Sequence, residues 1–332
     1  MHILLEKENI FTLEKIINYL NKNFITFYKF QSEYHIIITI KAEKNMIKQL
    51  EEFLHTCSCN VVMTDHGILV DKQYRDKTII DLIKTQIGNT NPVFISGPCS
   101  IENYDIVFDI ASQIKKHGAN ILRGGAFKPR TSPYDFQGLG LAGLKILHTV
   151  GKELNLPVIS EIMSIEELDY FNNYVDIIQV GCRNMQNYSL LKELGKTRKP
   201  ILLKRGFSST IKELLLSAEY IMMGGNENVI LCERGIRSFE SWTRNTFDVS
   251  AISLLKNISH LPVIADPSHA TGKRELILPM SLAAIAAGAD GLMIESHSNP
   301  DKSYSDSEQA ILPSSLGEII DLSKKVYEIC HV

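Results

Sequence analysis

The spacing of apolar residues changes once along this chain, near residue 70, and the change separates two architectures. Before it, short β-branched and aromatic runs alternate with two helical segments. Ile3–Leu5 reads as a strand. Thr12 to Leu20 places Leu13, Ile16, Ile17 and Leu20 on one helical face. Phe24–Phe30 and Tyr34–Ile40 read as strands joined by a short polar turn, Met46–Leu54 as a second helix, and Asn60–Met63 as a last strand. The order βαββαβ predicts a ferredoxin-like unit over 1–70. Residues 71–90 are charged, hold no sustained period, and read as a linker.

From residue 91 to 332 the pattern becomes short apolar runs alternating with amphipathic helices. The runs are Val93–Ser96, Asn120–Arg123, Val158–Glu161, Val175–Val180, Ile201–Lys204, Val229–Cys232, Val263–Asp266 and Gly291–Glu295. Helical spacing follows most of them, as at 103–117, 141–154, 210–223, 274–288 and 314–328. Eight βα units in about 240 residues predict a TIM (β/α)8 barrel. A doubly wound sheet would have fewer strands, and no phosphate fingerprint follows the first one.

The bulk numbers fit an ordinary globular enzyme. The chain has 332 residues, of which 44% are hydrophobic and 22% charged. A net charge of −3 argues against a general nucleic-acid binder. No apolar stretch approaches the roughly 18 residues of a membrane span, and the first residues lack the pattern of a signal peptide. The six cysteines are scattered apart from Cys57 and Cys59, so reduced thiols in a cytoplasmic protein are expected.

Chemistry in such a barrel gathers at the C-terminal strand ends. Taken in order, those ends are Cys99, Arg123, Glu161, Arg183, Lys204 with Arg205, Glu233 with Arg234, Asp266 with His269, and Glu295 with His297. The second end opens the loop Arg123-Gly-Gly-Ala-Phe-Lys-Pro-Arg-Thr-Ser132, in which two glycines and a proline forbid regular structure. The cations Arg123, Lys128, Arg130, Arg183, Lys204 and Arg234 would repel one another around an empty centre. They make sense facing ligands with several negative charges, such as a phosphate together with a carboxylate. Cys99, His269, Glu295 and Asp306 offer a thiolate, an imidazole and two carboxylates to one divalent ion. That mixed set admits Mn, Fe, Co, Zn or Cu and suits Mg poorly. Asp266 and His297 are expected to orient these ligands, and Cys182 and Cys232 to be structural.

With these residues assembled, the chain closely resembles the 3-deoxy-7-phosphoheptulonate synthases, in the subgroup with an N-terminal ferredoxin-like regulatory domain. The resemblance rests on Gly97-Pro-Cys-Ser, Arg123 to Pro133, Arg183-Asn-Met-Gln-Asn, Leu203-Lys-Arg-Gly, Cys232-Glu-Arg-Gly, Asp266-Pro-Ser-His-Ala-Thr-Gly-Lys and His297-Ser-Asn-Pro-Asp. It implies condensation of phosphoenolpyruvate with erythrose 4-phosphate, the first step of the shikimate pathway. By the same resemblance Cys99, His269, Glu295 and Asp306 match the metal ligands. Arg123, Lys128, Arg183, Lys204 and Arg234 match the phosphoenolpyruvate site, and Arg130 and Thr131, with Ser132 nearby, the sugar-phosphate end. Glu161 stands where it could orient a water, which with Lys128, Cys99 and His269 completes the expected catalytic set. The run Lys128-Pro-Arg-Thr separates the chain from the related octulosonate-phosphate synthases, which use arabinose 5-phosphate and are the alternative reading. The family further implies a homotetramer and a tyrosine or phenylalanine effector at the N-terminal domain, where this chain has no glycine before Gly67. Ser296, Ser298 and Cys182 stand where the family often has Val, Pro and Ala.

Overall fold

The computed structural model describes residues 1–31, 35–57, 59–62, 64–130 and 132–330. The chain opens with β1 (His2–Glu6), α1 (Ile10–Lys22), β2 (Phe27–Gln31), β3 (His35–Ile40), α2 (Lys44–Leu54) and β4 (Asn60–Val62). These strands form an antiparallel sheet in the order β2-β3-β1-β4, as a ferredoxin-like unit requires. Ile3 and Leu5 of β1 and Ile36, Ile38 and Ile40 of β3 pack with Leu13, Ile16 and Leu20 of α1 and Leu50 and Leu54 of α2. Leu4 and Ile37, which alternate with them and pair across the two strands, join the larger core instead, together with Ile68, Leu69 and Val70. Both faces of the central strands are therefore covered, which explains the unbroken Ile36–Ile38 run. The expected strand at Phe24 begins only at Phe27. Phe24 itself has φ of 54° and is 94% exposed, so it lies in a turn. Tyr34 and Met63, assigned to strands from the sequence, lie outside the described residues.

The connector has structure of its own. β5 (Ile80–Leu82) and β6 (Thr85–Ile87) form a hairpin. Its Ile80 and Ile87 pack against inward residues of the barrel's lower layer, including Ile95, Ile121 and Met293, and close that end of the barrel. Before the hairpin, the Glu219 carboxylate accepts the backbone N–H groups of Ile68, Leu69 and Val70 at 2.9–3.2 Å. Three donors that would otherwise be unpaired are satisfied by one side chain.

The remaining elements are β7 (Val93–Gly97), α3 (Tyr104–Lys116), β8 (Ile121–Arg123), α4 (Leu141–Leu154), β9 (Val158–Ile162), α5 (Leu168–Tyr174), β10 (Ile177–Val180) and α6 (Tyr188–Leu194). They continue with β11 (Ile201–Lys204), α7 (Ile211–Met223), β12 (Val229–Glu233), α8 (Val249–Ile258), β13 (Val263–Ala265), α9 (Pro267–Thr271), α10 (Arg274–Ala286), β14 (Gly291–Glu295) and α11 (Pro313–Cys330). The eight strands β7 to β14 pair in parallel and close on themselves through β14 and β7. The expected TIM barrel is present, preceded by the small α+β sheet. No helix of the described residues is long and apolar enough to cross a membrane.

A period of two places the chemistry. Ile121, Ile159, Ile177, Leu202, Ile264 and Met293 fill the barrel's lower interior. Two residues further along each strand direction stand Arg123, Glu161, Gln179, Lys204, Asp266 and Glu295. Successive side chains of a strand alternate faces, so each of these six apolar floor residues is followed by a polar one on the same inward face, one layer nearer the rim. On the other two strands Ile95 is followed by Gly97 and Ile230 by Cys232.

His260 ties the connector to the barrel floor. One ring nitrogen lies 2.6 Å from Leu69 O and the other 2.7 Å from Thr78 Oγ1. Burial pushes its pKa below the usual histidine value, against the opposing pull of its contact with Leu69. The folded chain therefore binds fewer protons than the unfolded one just below about pH 6.5, so stability is full above that pH and falls as the pH drops through it. On acidification from pH 7.5 to 5.5 the melting temperature of His260→Asn should fall less, or rise more, than that of the parent. His2 and His35, also depressed by burial, act in the same direction as His260, and His269, whose pKa is raised, acts in the opposite one. An unchanged slope in the variant would refute the assignment to His260.

Candidate active site

Cys99, His269, Glu295 and Asp306 converge at the rim, their ligand atoms all within 4.8 Å of one another. Four sequence-distant residues reach one point because β7 and β14 are neighbours across the closing pair, and Glu295 lies opposite Gly97 in that register. Gly97 has φ of 145°, and a Cβ there would stand 2.2 Å from Arg123 O, so the turn that delivers Cys99 requires glycine. His269 comes from α9. The sequence suggested that the seventh strand runs through Asp266. Instead the strand ends at Ala265, and Asp266 caps α9 by accepting His269 N–H at 2.9 Å, with Pro267 at the first helical position.

The Asp266 carboxylate also accepts His269 Nδ1–H at 2.8 Å. That fixes the tautomer and leaves Nε2 facing Glu295 Oε1 at 3.2 Å. Cys99 Sγ lies 3.1 Å from Asp306 Oδ2 and 2.9 Å from Lys128 Nζ. Arg123 donates to Glu295 Oε1, and Lys204 donates to Asp266 at 2.6 Å.

The electrostatics suit a cation. Burial alone would lift the Glu295 and Asp266 carboxyls, but His269 with Arg123, and His269 with Lys204, hold them well below the usual carboxylate range. Asp306 is lowered too, its burial and the nearby Glu295 being outweighed by Arg244 and His269. Burial would lower the His269 pKa, yet Asp266 and Glu295 raise it to about 10. The field that keeps a proton on this imidazole is the one a divalent ion would experience in the proton's place. Thiolate, imidazole and two carboxylates at this spacing fit such an ion.

Beside the cluster opens a cavity of about 200 Å³. Lys128, Arg130, Arg183, Lys204 and Arg234 line it, as does Glu161, whose Oε2 accepts from Gln179 Nε2 at 2.8 Å. Glu161 is packed so closely against Gly181 that a Cβ there would fall 1.9 Å from its Oε1. Arg123 lies beneath the cavity, buried against Glu295. Arg130 is aimed by a bond from Nε to Phe136 O at 3.1 Å. Ser132 does not reach the cavity lining: its Oγ accepts Tyr134 N–H at 3.2 Å and shapes the turn. Thr131 lies outside the described residues. Cys232 is fully buried in its strand, whereas Cys182 lines the cavity. His297 accepts Asn299 N–H at Nδ1 and stands 3.4 Å from Glu102, so it braces the loop that leads to Asp306.

Sequence reading missed Arg244, Gln309 and Phe207. Arg244 faces the cavity and lies 3.3 Å from Asp306. Gln309 donates to Glu295 Oε2 at 2.6 Å. The Phe207 ring lies under the guanidinium groups of Arg183, Arg234 and Arg237, at 5.3, 4.9 and 4.4 Å. The first two stand in loops beyond strand ends and the third follows Lys204-Arg205-Gly206, so none belongs to the strand-end pattern.

Fold and site together define a (β/α)8-barrel enzyme with a cation-lined cavity beside a cluster able to hold a metal ion. The model of the DAHP synthetase I family matches residues 67–331. A phospho-2-dehydro-3-deoxyheptonate aldolase of Thermotoga maritima is 46% identical over 265 residues, covering 80% of this chain and 78% of the relative. The crystal structure of a Thermotoga maritima DAHP synthase superposes with a TM-score of 0.79 at 37% identity, covering 99% of this chain and 97% of that one. A 2-dehydro-3-deoxyphosphooctonate aldolase of Francisella tularensis is more distant, 29% identical over 260 residues, covering 73% of this chain and 94% of the relative. The chain belongs to the DAHP synthetase I family, and it is an enzyme of that family, as the motifs in its sequence implied.

Proposed function

We propose that the enzyme condenses phosphoenolpyruvate with erythrose 4-phosphate to give 3-deoxy-D-arabino-heptulosonate 7-phosphate and phosphate, the entry step of the shikimate pathway, in the cytoplasm. The observation that carries this reading is the placement of a strongly cationic cavity directly against the Cys99–His269–Glu295–Asp306 cluster. A divalent ion held by those four residues would supply Lewis-acid polarisation of the aldehyde oxygen. Lys128, Arg183, Lys204 and Arg234 then hold the phosphate and carboxylate of phosphoenolpyruvate, and Arg123 beneath them adds positive charge. Arginine suits both anionic groups because its planar fork donates two parallel hydrogen bonds. Arg130 and Thr131, with Ser132 nearby in sequence, hold the phosphate of the sugar. In that arrangement C3 of phosphoenolpyruvate bonds to the aldehyde carbon, water adds at C2, and phosphate departs. Glu161, fixed by Gln179, orients the water at C2.

The N-terminal sheet supports a second proposal, that residues 1–70 form a regulatory unit for an aromatic amino acid, tyrosine or phenylalanine, within a homotetramer. Phosphate release from phosphoenolpyruvate, measured with each sugar in turn and with each amino acid added, tests the reaction. Erythrose 4-phosphate should be preferred over arabinose 5-phosphate by about a hundredfold or more in kcat/KM. Equal or better use of arabinose 5-phosphate would replace this reading with the octulosonate one.

A further inference from the structure

The two carboxylates of the cluster are joined behind the ligand atoms by a side-chain bridge. Asp306 turns Oδ2 toward Cys99 Sγ at 3.1 Å and His269 Nε2 at 3.9 Å, and its other oxygen, Oδ1, meets Arg244 Nη1 at 3.3 Å. Glu295 likewise presents Oε1 to His269 Nε2 at 3.2 Å and Oε2 to Gln309 Nε2 at 2.6 Å. Arg244 Nη1 closes the gap by donating to Gln309 Oε1 at 2.7 Å. The amide can point only one way, because guanidinium can only donate and an ionised carboxylate can only accept. Gln309 is 2% exposed and has both ends of its amide occupied.

We propose that Gln309 and Arg244 are positioning residues that hold Glu295 and Asp306 each with a single oxygen turned inward, and so set the affinity of the site for its metal. This rests on the metal reading above. Each outward oxygen is engaged by a donor. A carboxylate engaged in this way cannot swing to chelate through both oxygens without breaking that bond. Partners of this kind behind metal ligands change affinity by about 10–100-fold when removed. The bridge runs through shared atoms, so its members act together. Losing Gln309 frees Glu295 and removes one anchor of the Arg244 guanidinium. Losing Arg244 frees Asp306 and leaves the Gln309 carbonyl without its partner.

The test uses the full-length metal-free chain titrated with cobalt(II). The dissociation constant is taken by competition with a chromophoric chelator, and the thiolate-to-cobalt absorption band reports the Cys99 ligand. Gln309→Met and Arg244→Met should each weaken binding about 10–100-fold and alter the band. Arg244→Lys, which keeps a donor and the charge, should recover part of the loss. The double variant should lose clearly less than the product of the two single effects, as residues in one network do. Dissociation constants within twofold of the parent in both single variants would overturn the inference, as would a fully multiplicative double variant. Lowered melting of the metal-free variants with affinity and band unchanged would also overturn it, since that marks a merely structural role. A parent chain with no thiolate-to-cobalt band would remove the metal reading itself, whereas a normal parent band beside unaffected variants removes only the bridge.

Discussion

Cys99→Ala should lose about a thousandfold or more of its turnover in the presence of metal while the barrel stays folded. The thiol is the only sulfur ligand in the cluster and bonds both Asp306 Oδ2 and Lys128 Nζ. Without it three ligands remain, and the soft donor that favours borderline ions is gone. A Lewis acid contributes several kcal/mol at the transition state, and each 1.36 kcal/mol is tenfold in rate. The fold has little to lose. The residue is 2% exposed, and removing one sulfur leaves a small void costing roughly 1 kcal/mol. Lys128 keeps its second partner, Cys99 O at 3.0 Å, which is backbone and survives the substitution. Metal content, turnover with saturating metal, and thermal melting of the metal-free protein check the three parts. Full activity in metal-replete Cys99→Ala protein would refute the ligand assignment.

The barrel was legible because its information is local and repeated. Six of the eight strands combine an apolar floor residue with a polar one two positions later, and the helices show their own period, so α4 runs from Leu141 to Leu154 as its spacing predicts. The convergence of Cys99, His269, Glu295 and Asp306 was legible only through the strand order. Nothing in their spacing along the chain brings them together, but closure of β14 on β7 does. Three things were hidden. The hairpin at 80–87 is too short for a period to register, and Ile80 and Ile87 reveal their role only against the barrel floor. Asp266 looked like the end of a strand because apolar residues lead up to it, yet the following proline and the free helix N–H groups make it a cap. Arg244 and Gln309 sit in polar loops where charged and amide residues are ordinary, and only their hydrogen bonds set them apart.

That cap is also the point where the site is most sensitive to a change of one atom. Asp266→Asn should destabilise the fold by roughly 3–5 kcal/mol, the usual consequence of breaking one side of a buried ion pair, and should weaken metal binding as well. Asp266 is fully buried, and all the groups it meets are donors. Oδ1 accepts His269 N–H, while Oδ2 accepts both Lys204 Nζ and His269 Nδ1. An asparagine must turn its NH2 toward one of these sets, so a donor faces a donor in either orientation. It also leaves the Lys204 ammonium, whose side chain is 5% exposed, without its counter-charge. The pH dependence follows from the sign of each shift. In the parent, the depressed Asp266 pKa contributes stability that is present above the ordinary carboxyl value and is lost only as the pH falls through the still lower folded value. The carboxyl's own titration therefore adds no pH dependence above pH 5. Its pairing with His269, however, contributes stability that is full below about pH 6.5 and is lost as the pH rises toward about 10, which narrows the parent's advantage over the variant on the alkaline side. In the variant the unpaired Lys204 has its pKa pushed below about 10.4, so the deficit is largest at neutral pH and narrows as the pH rises and the lysine loses its charge. Melting curves of both proteins between pH 6 and 10 read this directly. Lys204→Met combined with Asp266→Asn should recover part of the lost stability, because no buried charge is then left unpaired. A melting temperature within 1–2 °C of the parent for Asp266→Asn alone, against the roughly 5–15 °C drop expected from such a loss, would show that the lysine has another partner and that the cap is not what holds His269 in place.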